Sequence, residues 1–151
     1  MSVVRLRPAT MADADLLLTW RNDPLTRKWS RNTNVVEPEP HHLWLASVLH
    51  STTQQLYLAR NEHDETVGSG RLDFYEDMVE INVTVAPEHR GKGNGSAIVR
   101  ALHALAVEHG RSDLRALVKP ANLPSLISFL QAGFVPVDPL RFVMLKPGGN
   151  E

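Results

Sequence analysis

The most constraining feature of this chain is a glycine-rich turn between a strand-like run and an amphipathic segment. The turn reads Pro87-Glu88-His89-Arg90-Gly91-Lys92-Gly93-Asn94-Gly95-Ser96. Val79 to Val85 before it is typical of a strand, which Pro87 should end because proline cannot donate a ladder hydrogen bond. A helix is predicted from Ser96 to His109. The unpaired N–H groups of its first turn, together with Arg90 and Lys92, predict an anion-binding site.

Two better-known phosphate loops do not fit this turn. A Walker A loop requires Ser or Thr after its lysine, but Gly93 follows Lys92. A dinucleotide-binding fingerprint would place its third glycine where Ser96 stands, on the first βα unit of the chain. Here the turn comes late, after several strands. Taken alone, the turn is equally compatible with a plain glycine-rich connection.

The remaining pattern alternates short strands with helices and predicts one mixed α/β (α+β) domain over residues 1–151. No repeat, low-complexity stretch or linker divides the chain. The predicted strands are Val3–Arg7, Gln55–Arg60, Thr66–Tyr75, Val79–Val85, Leu114–Val118 and Phe142–Leu145. The predicted helices begin near Thr10 and run over Leu25–Trp29, Glu39–Leu49, Ser96–His109 and Ser125–Ala132.

Composition excludes several functional classes. There is no cysteine, which rules out disulfides, thiolate metal sites and a cysteine acyl-enzyme. The seven histidines form no recognisable metal-ligand set, so no metal is expected. Sixteen basic and seventeen acidic residues leave no broad basic field for nucleic acid. No apolar run approaches the ~20 residues that span a bilayer. We therefore expect a cytoplasmic protein without a membrane or nucleic-acid partner, either a monomer or a homodimer.

Two motifs together resemble the GNAT N-acetyltransferase superfamily. Arg90, Gly93 and Gly95 meet the pattern Arg/Gln-x-x-Gly-x-Gly/Ala of its acetyl-CoA loop. A second match follows at Asn122-Leu123-Pro124-Ser125, with Phe129 and Gly133-Phe134 after it. The order of the elements agrees from Val3 to about Lys146. The resemblance therefore covers nearly the whole chain.

The resemblance implies a GNAT-like fold, in which a central, mostly antiparallel sheet with flanking helices is splayed at the CoA site. Acetyl-CoA would be the co-substrate, its pantetheine arm lying between the strand that ends at Val85 and the strand Leu114–Val118. A backbone N–H near Val85 would polarise the thioester carbonyl. The implied cofactor-binding residues are Val83, Val85, Arg90, Gly91, Lys92, Gly93, Asn94, Gly95, Ser96, Asn122 and Ser125.

The reaction implied is direct attack of a primary amine on the thioester in a ternary complex. An alkyl ammonium must first lose a proton, and Glu80 opens the strand where similar enzymes often carry a catalytic glutamate. A surface ion pair is the competing interpretation of Glu80. Many relatives carry a tyrosine seven residues after the asparagine, placed to protonate the leaving thiolate. This chain has Phe129 there, which cannot donate a proton.

The amino-terminal part resembles the branch that contains amino-sugar and ribosomal-protein acetyltransferases. Its acceptor-binding residues would be Trp20, Arg21, Asn22, His41, Trp44 and Asp73. Arg21, Arg27, Lys28 and Arg31 could serve a nucleotide-linked sugar, or they could be a solvated surface. The sequence predicts a small-molecule amine acceptor. Protein N-terminal acetylation and a non-catalytic acetyl-CoA sensor remain as alternatives.

Overall fold

A computed structural model describes residues 3–139 and 143–148. Its strands are β1 (Arg5–Pro8), β2 (Gln54–Arg60), β3 (Thr66–Phe74), β4 (Val79–Val85), β5 (Leu114–Val118), β6 (Phe134–Pro139) and β7 (Val143–Pro147). Its helices are α1 (Ala14–Arg21), α2 (Pro24–Trp29), α3 (Pro38–His50), α4 (Asn94–Glu108) and α5 (Leu123–Gln131). None of the helices in these ranges is long and apolar enough to cross a membrane.

The strands form one seven-stranded sheet in the order β1-β2-β3-β4-β5-β7-β6. Neighbouring strands are antiparallel except β4 and β5, which run parallel. These two strands are in register only at Val79 with Leu114 and Glu80 with Arg115. Beyond Glu80 they part, which confirms the predicted splayed sheet. The gap between them opens toward the glycine-rich turn.

Helices cover both faces of the sheet. On one face α4 packs Ile98 and Leu102 against β3, where Gly68 and Gly70 leave room for them. A Cβ on Gly70 would lie 2.5 Å from Leu102 Cδ1, so a larger residue would push the helix away. The opposite face is covered by α1 and α3, whose Trp20, Leu45 and Val48 form a second core with Leu56 and Leu58 of β2.

Most predicted elements are confirmed to within two residues. Helix α4 begins at Asn94 rather than Ser96, and β7 begins at Val143. Phe142, predicted to open that last strand, lies outside the described residues. Strand β6 was missed because Pro136 and Pro139 argue against a strand. It is the edge strand of the sheet, and on its outer side there is no neighbouring strand that would need a hydrogen bond from the missing proline N–H.

Candidate active site

The glycine-rich turn connects β4 directly to α4. Gly91 and Gly93 have φ values of 74° and 83°, a left-handed conformation that residues with a Cβ seldom adopt. Gly93 is the N-cap of α4, and the first-turn residues Asn94 and Ser96 are buried. The turn therefore has the backbone geometry of an anion site at a helix N-terminus.

Gly95 serves packing as well as the turn. A Cβ at this position would lie 2.3 Å from Ser128 Oγ and 3.1 Å from Ser128 Cβ. Gly95 therefore lets α4 approach α5 closely. The sequence motif attributed this glycine to contact with a ligand and offered no sign of its partner in α5.

Three of the polar side chains predicted to bind the cofactor make contacts inside the protein. Arg90 donates to Asp23 Oδ2 at 2.6 Å and to Thr26 Oγ1 at 3.0 Å. Asn94 Nδ2 donates to the His89 carbonyl, and Ser96 Oγ donates to the Gly93 carbonyl. These bonds shape the turn. Lys92 lies exposed at its tip.

The second motif lies at the start of α5. Asn122 Oδ1 accepts a hydrogen bond from the Ser125 N–H at 3.2 Å and so caps the helix. Across the gap, Val83 and Val85 are half-buried on β4, beyond its last pairing with β5. Phe129 is 3% exposed and packs edge-to-face on Phe134, with ring centroids 5.2 Å apart. Its ring belongs to the core.

Two buried carboxylates lie side by side on the face opposite α4. Asp73 of β3 and Glu80 of β4 are cross-strand neighbours, 6% and 5% exposed. Asp73 accepts two hydrogen bonds from Arg71 and one each from Gln54 and Asn82. Among the described residues, Glu80 accepts from the Arg31 guanidinium alone, at 2.7 Å. Glu80 is therefore the carboxylate with oxygen lone pairs to spare.

Contacts connect the predicted acceptor-binding residues to this polar face, directly or through the segment between α2 and α3, with one exception. The His41 and Trp44 rings lie 5.3 Å apart, and the Arg71 guanidinium lies 5.8 Å from the Trp44 ring. Arg21 Nη2 donates to the Asn32 carbonyl at 2.7 Å, in the segment that carries Arg31. The exception is Trp20, which is 3% exposed in the core beneath α1 and α3.

Asn22 anchors the segment between α2 and α3. Its side-chain amide donates to the Val36 carbonyl and accepts from the Val36 N–H, both at 2.8 Å. These two hydrogen bonds hold the C-terminal end of the segment of residues 31–35, all of which are exposed. Asn22 thus positions the segment that reaches Glu80.

Sequence reasoning missed Gln54, Arg71 and Asn82. Their signal was present, because Arg71 and Asp73 alternate along β3 as Glu80 and Asn82 do along β4. Polar residues two positions apart on neighbouring strands share one face of a sheet. The alternation could therefore have predicted a polar patch there.

The charges around His41 favour its neutral form. Burial lowers the pKa of His41, and the nearby charges of His42 and Arg21 lower it further. Burial likewise lowers the pKa of Arg21, with the charge of Arg27 adding to the effect. Cationic or potentially cationic side chains therefore lie near one another around His41 and Arg21. In the described part of the chain, no group of three or more His, Cys, Asp or Glu side chains is arranged to hold a metal ion.

Comparison with known proteins agrees with this geometry. Residues 4–135 match the family model of the acetyltransferase (GNAT) domain. The chain is 27% identical over 136 residues to YwnH of Bacillus subtilis (strain 168), a candidate phosphinothricin acetyltransferase, covering 85% of this chain and 82% of that protein.

Solved structures share the fold. A domain from Methanocaldococcus jannaschii DSM 2661 superposes with a TM-score of 0.83 at 21% identity, covering 96% of this chain and 97% of that one. The aminoglycoside acetyltransferase AAC(6')-Ib, solved with paromomycin and acetyl-CoA, has a TM-score of 0.81 at 21% identity, covering 96% and 93%. At 21% identity these structures show a shared fold, while the relatives named as acetyltransferases differ in their acceptors and point to no branch within the family. The chain belongs to the GNAT family and is an acetyl-CoA-dependent N-acetyltransferase.

Proposed function

We propose that this enzyme acetylates the primary amine of a small polar molecule, either an amino sugar or a nucleotide-linked amino sugar, with Glu80 as the general base. The observation that carries this proposal is the position of Glu80. It is buried, and it is the last residue of β4 that pairs with β5 before the strands part. A base there would lie where an acceptor amine and a thioester in the gap can meet.

The chemistry assigned to the chain follows from that position. Bound acetyl-CoA supplies the thioester, held by the α4 turn and by the β4 edge at Val83 and Val85. Glu80 takes a proton from the acceptor ammonium, directly or through a water molecule. The free amine attacks the carbonyl carbon, its nitrogen loses a second proton to solvent, and the C–S bond breaks as the amide forms. A backbone N–H near Val85 stabilises the oxyanion.

Departure of the CoA thiolate does not require a tyrosine as general acid. Phe129 has no hydroxyl and its ring faces the core, so the position at which relatives hold a general acid is structural here. A thiolate is a competent leaving group, because the pKa of an ordinary thiol is about 8.5. We propose that solvent protonates it after it leaves.

The charge around the site favours a small molecule over a protein N-terminus. An acidic pocket would suit a peptide ammonium, whereas here Arg21, Arg27 and Arg31 come from α1, α2 and the segment after it. Arg71 adds a fourth guanidinium on β3. These side chains suit an acceptor that carries negative charge beside its amine.

Release of CoA thiol from acetyl-CoA across a panel of amines tests the proposal. The panel contains amino sugars, nucleotide-linked amino sugars, and peptides with free N-termini. Turnover with one of the sugar classes and not with peptides supports the proposal. Turnover confined to peptides would replace it with protein N-terminal acetylation. Tight CoA binding without turnover of any amine would indicate a sensor.

A further inference from the structure

Four side-chain nitrogen atoms are buried without a hydrogen-bond partner in the described part of the chain: Arg21 Nη1, Arg27 Nε, Trp29 Nε1 and His41 Nδ1. Three of them, on Arg21, Arg27 and His41, belong to side chains that carry or can carry positive charge. His41 as a whole is only 4% exposed. Both guanidinium nitrogens are donors, and His41 Nδ1 donates in one tautomer or when the ring is charged. Buried donors without acceptors are costly, so their accumulation at one place points to a partner that brings oxygen atoms.

The three side chains lie near one another. Arg21 and Arg27 donate to the carbonyls of the consecutive residues Asn32 and Thr33, and the charge of Arg21 contributes to lowering the pKa of His41. No Asp or Glu within the described ranges forms an ion pair with Arg21 or Arg27. The nearest carboxylate along the chain, Asp23, accepts from Arg90 instead. The positive charge of this cluster is therefore not balanced by acidic side chains.

Backbone oxygens already occupy part of the cluster. Arg21 Nη2 donates to the Asn32 carbonyl at 2.7 Å, and Arg27 Nη1 donates to the Thr33 carbonyl at 3.3 Å. Two carbonyls from consecutive residues present two oxygens to two guanidinium groups. That arrangement resembles how a carboxylate or a phosphoryl group presents its oxygens.

We propose that Arg21, Arg27 and His41 bind an anionic group of the acceptor, a carboxylate or a phosphoryl oxyanion. This rests on the proposed function, because it places the anion on the molecule whose amine is acetylated. The anion replaces the Asn32 and Thr33 carbonyls when the 31–35 segment lifts, and it takes up the unpaired donors. The substrate class is therefore an amine that also carries a carboxylate or phosphate.

The contact between Arg31 and Glu80 sets the spacing of the two substrate groups. Arg31 Nη2 lies 2.7 Å from Glu80 Oε2, and Asn32 is the next residue of the same segment. In the acceptor complex, the substrate ammonium takes the place of the Arg31 guanidinium at Glu80. Its anion takes the place of the neighbouring carbonyls. One displaced segment thus accounts for both subsites.

Matched amine pairs test this inference during turnover. Glucosamine 6-phosphate and glucosamine share the amine and differ by one phosphate. We expect kcat/KM to be about tenfold or more higher for the phosphorylated member, mainly through KM, as charge-assisted hydrogen bonds require. Arg21→Gln and Arg27→Gln should each remove most of that preference. Arg5→Gln, an exposed arginine on β1, is the matched control and should keep it. Equal KM values for the pair in wild type, or an unchanged preference in both variants, would overturn the inference.

Direct binding separates failure of the inference from failure of the proposed function. The probe is inorganic phosphate, measured by calorimetry on protein saturated with CoA so that the α4 turn is occupied. Binding by wild type and Arg5→Gln, weakened about fivefold or more in Arg21→Gln and Arg27→Gln at unchanged CoA affinity, supports the anion site even if no amine is acetylated. If phosphate does not bind while neutral amines are acetylated, the proposed acetyltransferase function stands and the anion site is refuted. Water molecules would then satisfy the unpaired donors. Arg21→Lys, which keeps the charge but loses the fork, serves if Arg21→Gln does not fold.

Discussion

Arg90 of the glycine-rich turn and Asp23 at the N-cap of α2 form an ion pair, with Arg90 Nη2 2.6 Å from Asp23 Oδ2. At the other end of α2, Lys119 Nζ donates to the Lys28 carbonyl at 3.1 Å. Lys119 follows β5, so α2 is attached to both walls of the splayed gap. Helix α2 therefore connects the glycine-rich turn to the segment after β5.

Removing the Asp23 carboxylate should loosen that attachment. In Asp23→Ala we expect the free energy of unfolding to fall by about 2–4 kcal/mol, from loss of a helix cap and of a charge-assisted hydrogen bond. The KM for acetyl-CoA should rise as Arg90 loses its partner. Denaturant unfolding and steady-state kinetics measure the two effects. Asp15→Ala, an exposed acid on α1, is the control. Unchanged acetyl-CoA affinity in Asp23→Ala would show that the turn holds its shape without α2.

Replacing Glu80 tests the base. Glu80→Gln keeps the shape of the side chain but cannot accept the ammonium proton, so kcat should fall about 100-fold or more. The affinity for acetyl-CoA should stay within about twofold, since Glu80 faces the acceptor side. The acid limb of the pH–rate profile should disappear. Glu76→Gln, in the exposed turn between β3 and β4, is the control. A pH–rate profile identical to that of wild type would exclude Glu80 as the base.

Gly95 and Ser128 should show a coupled effect on stability. Gly95→Ala places a Cβ 2.3 Å from Ser128 Oγ, and such overpacking costs about 1–3 kcal/mol. Adding Ser128→Ala removes the nearer atom and should restore part of the loss, measured by a double-mutant cycle. Gly91→Ala is the comparison, because nothing lies within 4 Å of its Cβ position and only its φ of 74° is strained. Its loss should not respond to Ser128→Ala. Simple additivity at Gly95 and Ser128 would contradict the predicted contact.

Asp13 should make stability depend on acid pH. Arg7 donates to both Asp13 oxygens, at 2.7 and 2.9 Å, and the Thr10 N–H donates at 2.8 Å. The Arg7 hydrogen bonds are the largest cause of a lowered pKa at Asp13. Burial opposes them, while the Thr10 N–H and the Arg7 charge lower the pKa further.

The lowered pKa of Asp13 sets the direction in which stability changes with pH. The unfolded carboxyl titrates near 3.9, so the stabilisation is complete above about pH 4 and is lost as pH falls through the lower folded value. We expect Tm of Asp13→Asn to lie below that of wild type at pH 6, with the gap narrowing below pH 4. Asp15→Asn should match wild type throughout. A Tm difference between wild type and Asp13→Asn that stays constant from pH 6 to below pH 4 would show that the Asp13 charge is not the stabilising feature.

Local signals were enough to predict most of the fold. Alternation predicted β4 with the bounds Val79–Val85, and the glycine-rich turn predicted the start of a helix within two residues of Asn94. These signals lie within a few residues of the structure they specify. Strand β6 was not predicted because its prolines are acceptable only in an edge strand. Which strand lies at the edge depends on the order of the strands in the sheet, which local sequence does not specify.

By itself, the sequence determined the strand–turn–helix connection and, through two motifs, the resemblance to acetyl-CoA-dependent acetyltransferases. Only the tertiary structure decided what each side chain does there. Arg90 contacts a residue 67 positions away, and Arg31 contacts one 49 positions away. No local pattern encodes such distant partners, because backbone periodicity specifies the face on which a side chain lies and not what another element brings to it. The order of the strands and the packing of the helices decide which distant side chains meet, and they bring basic and acidic side chains together on one face of the sheet.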